Sequence, residues 1–263
     1  TDSDNAPIRD ARVTISEPET AINPNSPIER LETDVSGQTQ IVDLNTPPLE
    51  YSLNENNENM PYANYNIQIE APGYETENIS NVEILPDSLS LQDVRMRRRE
   101  GEQVENIDID PHTLYAEYPE KIPEDEIKDV NEPGEIVLSR VVIPEYVVVH
   151  NGTPSSNARD YYVTYKDYIK NVASSEIYAT WPRATIEANV LAIMSFTLNR
   201  VYTEWYRNKG YDFTITSSTA YDQKWIYGRN IFQSIDEVVD EIFNQYLSRP
   251  DVRQPILTQY CDG

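Results

Sequence analysis

The stretch Tyr168-Ile169-Lys170-Asn171-Val172-Ala173-Ser174-Ser175-Glu176-Ile177-Tyr178-Ala179-Thr180-Trp181-Pro182 decides how the second half of the chain folds. Tyr165, Ile169, Val172 and Ala173 recur at helical spacing up to Glu176, and Pro182 suits the first turn of a following helix. Ile186, Val190, Ile193, Met194, Leu198, Val201, Tyr202 and Trp205 then mark one apolar side as far as Gly210. That pattern predicts a helix of about 37 Å at about 1.5 Å per residue. One carboxylate, Glu176, is thereby expected between two helices, with Tyr178 and Trp181 beside it. A carboxyl group held against apolar rings has its charged form disfavoured, so its pKa is expected to rise and it can act as a general acid. The same spacing also suits a helix-end or solvated carboxylate.

Outward from this stretch, Val147-Val148-Val149 reads as a strand, and Ser234-Ile235-Asp236-Glu237 reads as a capping box before the apolar positions Val238, Val239, Ile242, Phe243 and Tyr246 of a third helix. From Ala11 to about Met96 the period changes to two. Val13 and Ile15, Ile41 with Val42 and Leu44, then Tyr65, Ile67 and Ile69, and finally Val94 and Met96 form short segments broken by turn residues. Asp34-Val35-Ser36-Gly37 and Ala71-Pro72-Gly73-Tyr74 are the clearest turns, so an antiparallel sandwich is expected here. Between the two regions run thirteen acidic residues from Glu100 to Glu135, interleaved with Pro111, Pro119, Pro123 and Pro133. That composition buries too little apolar surface to fold alone and reads as a linker, or as an arm lying on a neighbour through Tyr115, Tyr118 and Ile122.

A net charge of −24 over 263 residues argues against nucleic acid as a partner, since the only basic run, Arg95 with Arg97-Arg98-Arg99, is answered at once by Glu100 and Glu102. Membrane insertion is not expected, because the longest helical pattern carries Glu187, Asn189, Arg200 and Glu204. The single cysteine, Cys261, with His112 and His150, makes no zinc spacing, so neither metal nor cofactor is expected. His150, followed by Asn151-Gly152, reads as a turn-edge histidine. With 19 Tyr, 4 Phe and 3 Trp the chain is folded rather than disordered.

Two resemblances follow from these residues. Pro7-Ile8-x-x-Ala11-x-Val13-x-Ile15, Thr33-Asp34-x-x-Gly37-x-Thr39 and Tyr65-x-Ile67-x-Ile69-x-Ala71-Pro72-Gly73-Tyr74 resemble the carboxypeptidase regulatory-like, transthyretin-like sandwich, an extracellular spacer or adhesion module without catalysis. That family usually opens with one more strand before the Pro-Ile segment, so the chain is expected to begin inside the first hairpin. The stretch 168–182 resembles the signature of the stage II sporulation protein D family of peptidoglycan lytic transglycosylases. Ser218-Thr219-Ala220-Tyr221-Asp222-Gln223-Lys224-Trp225-Ile226-Tyr227-Gly228 resembles a later segment of that family, and the likeness covers residues 145–263.

The implied fold class is multi-domain: an all-β transthyretin-like sandwich at 1–97, an acidic Pro-rich linker or arm at 98–140, and an α+β sporulation-protein-D-like domain at 141–263, incomplete at its C-terminal end. The second resemblance makes Glu176 the catalytic acid and places Tyr178, Trp181, Asn189, Asp222 and Gln223 at the substrate. It implies peptidoglycan glycan strands as partner, a bacterial cell-envelope or extracellular location and a 1,6-anhydro product. The chain departs from the family's helix at Asn189, where Gln is usual, and at Ser195, where an orienting Arg is usual. A non-catalytic wall-anchoring or structural protein that keeps the enzyme fold as a scaffold is therefore the competing reading, and a homo-oligomer or surface assembly stays open with it.

Overall fold

A computed structural model describes residues 1–18, 25–101, 104–122 and 137–259. The chain divides into two compact units, Thr1–Pro111 with Tyr227–Phe232, and His112–Ile226 with Gln233–Gly263. The described residues form a β-rich, multi-domain protein with three sheets and a few helices.

The first unit is built on β1 (Arg12–Ser16), β2 (Pro27–Glu32), β3 (Ala63–Glu70), β4 (Thr76–Ile84) and β6 (Val104–Asp108), in the order β2-β1-β3-β4-β6. A short helix, α1 (Glu50–Leu53), precedes β3. Alternation decides the buried side: Ile15, Leu31 and Tyr65 form one core cluster, against which Val13, Val42, Leu44 and Ile67 pack. The Asp34 turn forms as expected, its Oδ1 accepting from the Ser36 and Gln38 N–H groups at 2.8 and 3.1 Å, with Gly37 at φ +75°. Gly73 likewise takes φ +86° in the Ala71–Tyr74 turn, where the Tyr74 N–H donates to the Ala71 carbonyl at 3.1 Å.

Three expectations for this unit are corrected. Residues 38–48 are not a strand, although Val42 and Leu44 keep their apolar contacts. The sheet is not wholly antiparallel, because β6 pairs with β4 in parallel, and β6 lies beyond the expected boundary at residue 97. The unit also takes back residues 227–232: β10 (Ile231–Phe232) pairs with β5 (Ser90–Leu91), the Arg229 guanidinium meets the Glu83 carboxylate with both side chains buried, and Asn230 Nδ2 donates to the Glu83 carbonyl at 2.8 Å. A run that is contiguous in sequence is here divided by which buried polar groups satisfy it.

The second unit joins a three-stranded sheet, β8 (Asp160–Thr164), β7 (Tyr146–His150) and β9 (Ile215–Thr216), to three mutually packed helices, α2 (Tyr165–Glu176), α3 (Arg183–Tyr202) and α4 (Gln233–Ile242). Thr164 caps α2, accepting from the Asp167 N–H at 3.2 Å and donating to Asp167 Oδ2 at 2.6 Å. α2 and α3 both bury apolar and small polar positions, whereas α4 keeps Asp236 and Asp240 outward, paired with Lys170 at 2.5 and 3.0 Å.

Two helix ends differ from expectation. α3 stops at Tyr202 rather than near Gly210, because Glu204 turns left-handed at φ +47° and the Trp205 N–H donates back to the Arg200 carbonyl, closing the helix about two turns early. A 3₁₀ turn (Arg207–Lys209) follows and ends at the left-handed Gly210. α4 begins one residue before the expected cap, and the Ser234 hydroxyl donates to the Ala179 carbonyl instead. The acidic segment is likewise not one linker. Residues 112–122 belong to the second unit, where the Thr113 N–H and hydroxyl both donate to the Ser175 carbonyl at 3.1 Å, while 123–136 lie outside the described residues.

Candidate functional site

Glu176 is the last residue of α2 and is buried. α2 is held against segment 222–226 along its length. Tyr168 donates from its hydroxyl to Gln223 Oε1 at 3.2 Å, Asn171 exchanges two hydrogen bonds with the Ile226 backbone at 2.8 and 2.9 Å, and Glu176 Oε1 accepts from the Lys224 N–H at 2.7 Å. The catalytic candidate is thus positioned by a helix C-terminus on one side and a backbone donor on the other. Burial, with the Asp222 and Glu176 carboxylates near it, holds the Tyr168 phenol far above its ordinary pKa, so it stays a donor.

The aromatic side of the site has three members. Tyr178 is buried and packs edge-on against the half-buried Trp181, with ring centroids 5.8 Å apart. Its other neighbour is His112, fully buried, with centroids 4.5 Å apart. The Leu114 N–H donates to His112 Nδ1 at 3.2 Å, so a neutral ring carries its proton on Nε2, which faces the Ile177 carbonyl at 3.4 Å. In the sequence His112 carries no assigned role, since with Cys261 and His150 it makes no zinc spacing; its place beside the 168–182 stretch arises from the docking of residues 112–122. Lys224 and Lys121 lie over the rings of Tyr118 and Phe196 at 4.6 and 4.9 Å.

The remaining expected site residues fall elsewhere. Asn189 is half-buried on α3, and its Nδ2 donates to the Thr185 carbonyl at 2.8 Å. Asp222 and Gln223, expected to hold sugar hydroxyls, are fully buried, with hydrogen bonds to the protein interior. Asp222 Oδ1 accepts from Arg200 Nε at 2.6 Å, and its Oδ2 accepts from the Tyr206 hydroxyl at 2.6 Å, the Thr216 N–H at 2.8 Å and the Thr216 hydroxyl at 2.6 Å. Gln223 Oε1 accepts from Thr197 at 2.8 Å, and its Nε2 donates to the Ile193 carbonyl at 3.0 Å. These bonds tie the loop that carries Lys224 to α3 and β9.

Arg200 is the residue that sequence reasoning misses: a charge within a helical pattern reads as a solvated face, yet its guanidinium is fully buried against Asp222. Ser195, at the place of the family's Arg, is also buried and accepts from the Leu247 N–H at 2.7 Å. His150 ends β7 at the edge of the turn, as expected, and is buried there. Its Nδ1 meets Asp160 at 2.6 Å across the β7–β8 hairpin, and its ring stacks on Phe213. Cys261 lies outside the described residues. Among the described residues no group of three or more His, Cys, Asp and Glu is placed to hold a metal ion, and no helix is long and apolar enough to cross a membrane.

Fold and site together define a β-rich protein whose helical unit holds one buried carboxyl group beside a small aromatic cluster. No family model, no curated protein and no solved structure matches the chain.

Proposed function

We propose that this protein acts on peptidoglycan glycan strands at the bacterial cell envelope and cleaves them by lytic transglycosylation, with Glu176 as the acid. The observation that carries this reading is the placing of Glu176: a buried carboxyl group, one oxygen held by the Lys224 N–H at 2.7 Å, in the stretch whose residues resemble the transglycosylase signature. One carboxyl group suffices for the chemistry. Glu176 gives its proton to the glycosidic oxygen as the bond from C1 breaks. The resulting carboxylate then takes the proton of the C6 hydroxyl, whose oxygen closes on C1 as a 1,6-anhydro ring. The carboxyl group ends protonated again, and no water is consumed, unlike the two-carboxylate hydrolases.

The second reading, a non-catalytic scaffold or wall-anchoring protein, is favoured by one observation. Asp222 and Gln223, the polar pair expected to touch substrate, spend their side chains on the protein interior. Digestion of purified peptidoglycan by the complete protein and by Glu176→Gln separates the two readings. Turnover to 1,6-anhydro-muropeptides, measured by mass spectrometry, should fall by a factor of about 10² to 10⁴ in Glu176→Gln while glycan binding persists. Equal release from both proteins removes Glu176 from the mechanism. Absence of release from either, with binding retained, selects the scaffold.

A further inference from the structure

A second candidate site lies where α3 ends. A cavity of about 150 Å³ opens there, lined by Tyr146 of β7, by Glu204, Trp205 and Arg207 after α3, and by Phe213. Its size is informative, since a void of about 150 Å³ holds one benzene-sized ring, whereas drug-sized ligands need about 300 Å³ or more. The cleft is open on one side, so it takes a single ring or the end residue of a chain with part of that residue left in solvent.

The lining decides the chemistry of that ring. Tyr146 is 52 % exposed although it stands on a strand, so it offers an apolar platform at the mouth. Glu204 and Arg207 pair only loosely, at 3.6 Å, and the buried Arg200 is neutralised by Asp222. The cavity thus carries no unbalanced charge to attract an ion. A cationic ligand is further disfavoured because Trp205 already has Lys209 at 3.4 Å and Arg200 at 4.8 Å over its ring. What remains is a neutral ring with an apolar flank and a polar rim. A carboxylate and a guanidinium side by side offer an acceptor and a donor to adjacent hydroxyl groups.

The backbone supplies an independent observation. Glu204 occupies the left-handed position that closes α3, with its own N–H donating to the Val201 carbonyl and the Trp205 N–H to the Arg200 carbonyl, both at 3.3 Å. Glycine or asparagine normally fills this position, and another residue there costs about 1 to 2 kcal/mol. Glutamate stands where stability alone favours glycine, and this residue lines the cavity.

We propose that this cavity is a saccharide-binding position that takes one pyranose residue, stacked on Tyr146 and hydrogen-bonded by Glu204 and Arg207. The limit to one small neutral ring comes from the cavity; the choice of a pyranose, and of an N-acetylated hexosamine, rests on the glycan reading above. The site uses none of the residues around Glu176, so it serves to hold a strand and not to cut it.

The test is calorimetric titration of the complete protein, in a Glu176→Gln background, with chitotriose and with cellotriose as probes. Chitotriose should bind in two steps, one at the Glu176 stretch and one at this cavity, and Tyr146→Ala and Glu204→Gly should each weaken one of the two at least tenfold while leaving the other in place. Glu204→Gly should do so without lowering the thermal midpoint, because glycine relieves the left-handed backbone, and this separates lost recognition from lost folding. An isotherm that keeps the parent's number and strength of binding steps in both variants, or absence of binding for both sugars, overturns the proposal. Cellotriose binding without chitotriose binding upholds the pyranose site and overturns the hexosamine choice. Because anhydro-product release is measured separately with Glu176 intact, failure here and failure of the transglycosylase reading are distinguishable.

Discussion

Asp222→Asn tests whether Asp222 is scaffold or ligand-binding group. The carboxylate accepts four hydrogen bonds, from Arg200 Nε, the Tyr206 hydroxyl, and the N–H and hydroxyl of Thr216, and both Asp222 and Arg200 are at most 1 % exposed. Asparagine keeps the shape but replaces one acceptor by a donor. Turned one way its NH₂ faces Arg200 Nε, and turned the other way it faces the Thr216 N–H, so either orientation leaves two donors opposed. The guanidinium also loses its counter-charge in a site closed to solvent. Breaking a buried pair of this kind costs about 3 to 5 kcal/mol. With a urea slope of about 2 kcal/mol per M, the unfolding midpoint should fall by about 1.5 to 2.5 M. Trp181, Trp205 and Trp225 all belong to the second unit, so tryptophan fluorescence reads this unit alone. A shift below about 0.3 M, equivalent to about 0.6 kcal/mol on the same slope, would refute the sealed-scaffold assignment and make Asp222 available to a ligand.

Further outcomes concern the first unit. Glu77 lies directly opposite Glu105 on paired strands, is 1 % exposed, and has its carboxyl pushed up to about 7 by burial and by Glu105 and Glu75, against the opposing pull of Arg97. Below the ordinary carboxylate range both folded and unfolded states hold this proton. As pH rises towards 7 only the unfolded state gives it up, so the unit should lose stability across that window and level off above it. Urea midpoints followed by hydrogen exchange of the β3 and β4 backbone amides should show this slope, and Glu77→Gln should flatten it; an unchanged slope rejects the assignment. Gly228→Ala should destabilise the same unit by about 1 to 3 kcal/mol. Its backbone is at φ +76° and a Cβ would meet Ile107 Cγ2 at 2.7 Å, so an unaltered midpoint by hydrogen exchange of the same amides would contradict the close packing of 227–232.

Local periodicity and turn chemistry determined much of this protein in the sequence itself. The apolar repeats of 165–176 and 186–202 specify their helices, because a face that repeats every three to four residues is buried only in that conformation. Gly37 and Gly73 specify their turns for an equally local reason, positive φ. Glu176 was legible as a candidate because its position depends only on where α2 ends.

Tertiary structure alone decided what the polar residues do. Asp222, Gln223 and Arg200 look in sequence like surface or substrate groups, yet each is buried by partners that stand apart from it in the chain: Thr216 and Tyr206 for Asp222, Thr197 and Ile193 for Gln223. His112 reached the aromatic cluster because residues 112–122 belong to the second unit, and residues 227–232 went to the first because Glu83 pairs with Arg229 and Asn230 and β5 pairs with β10. A charged or amide side chain is equally at home in water or in a completed hydrogen-bond network. Which of the two it meets depends on long-range partners that no local pattern encodes.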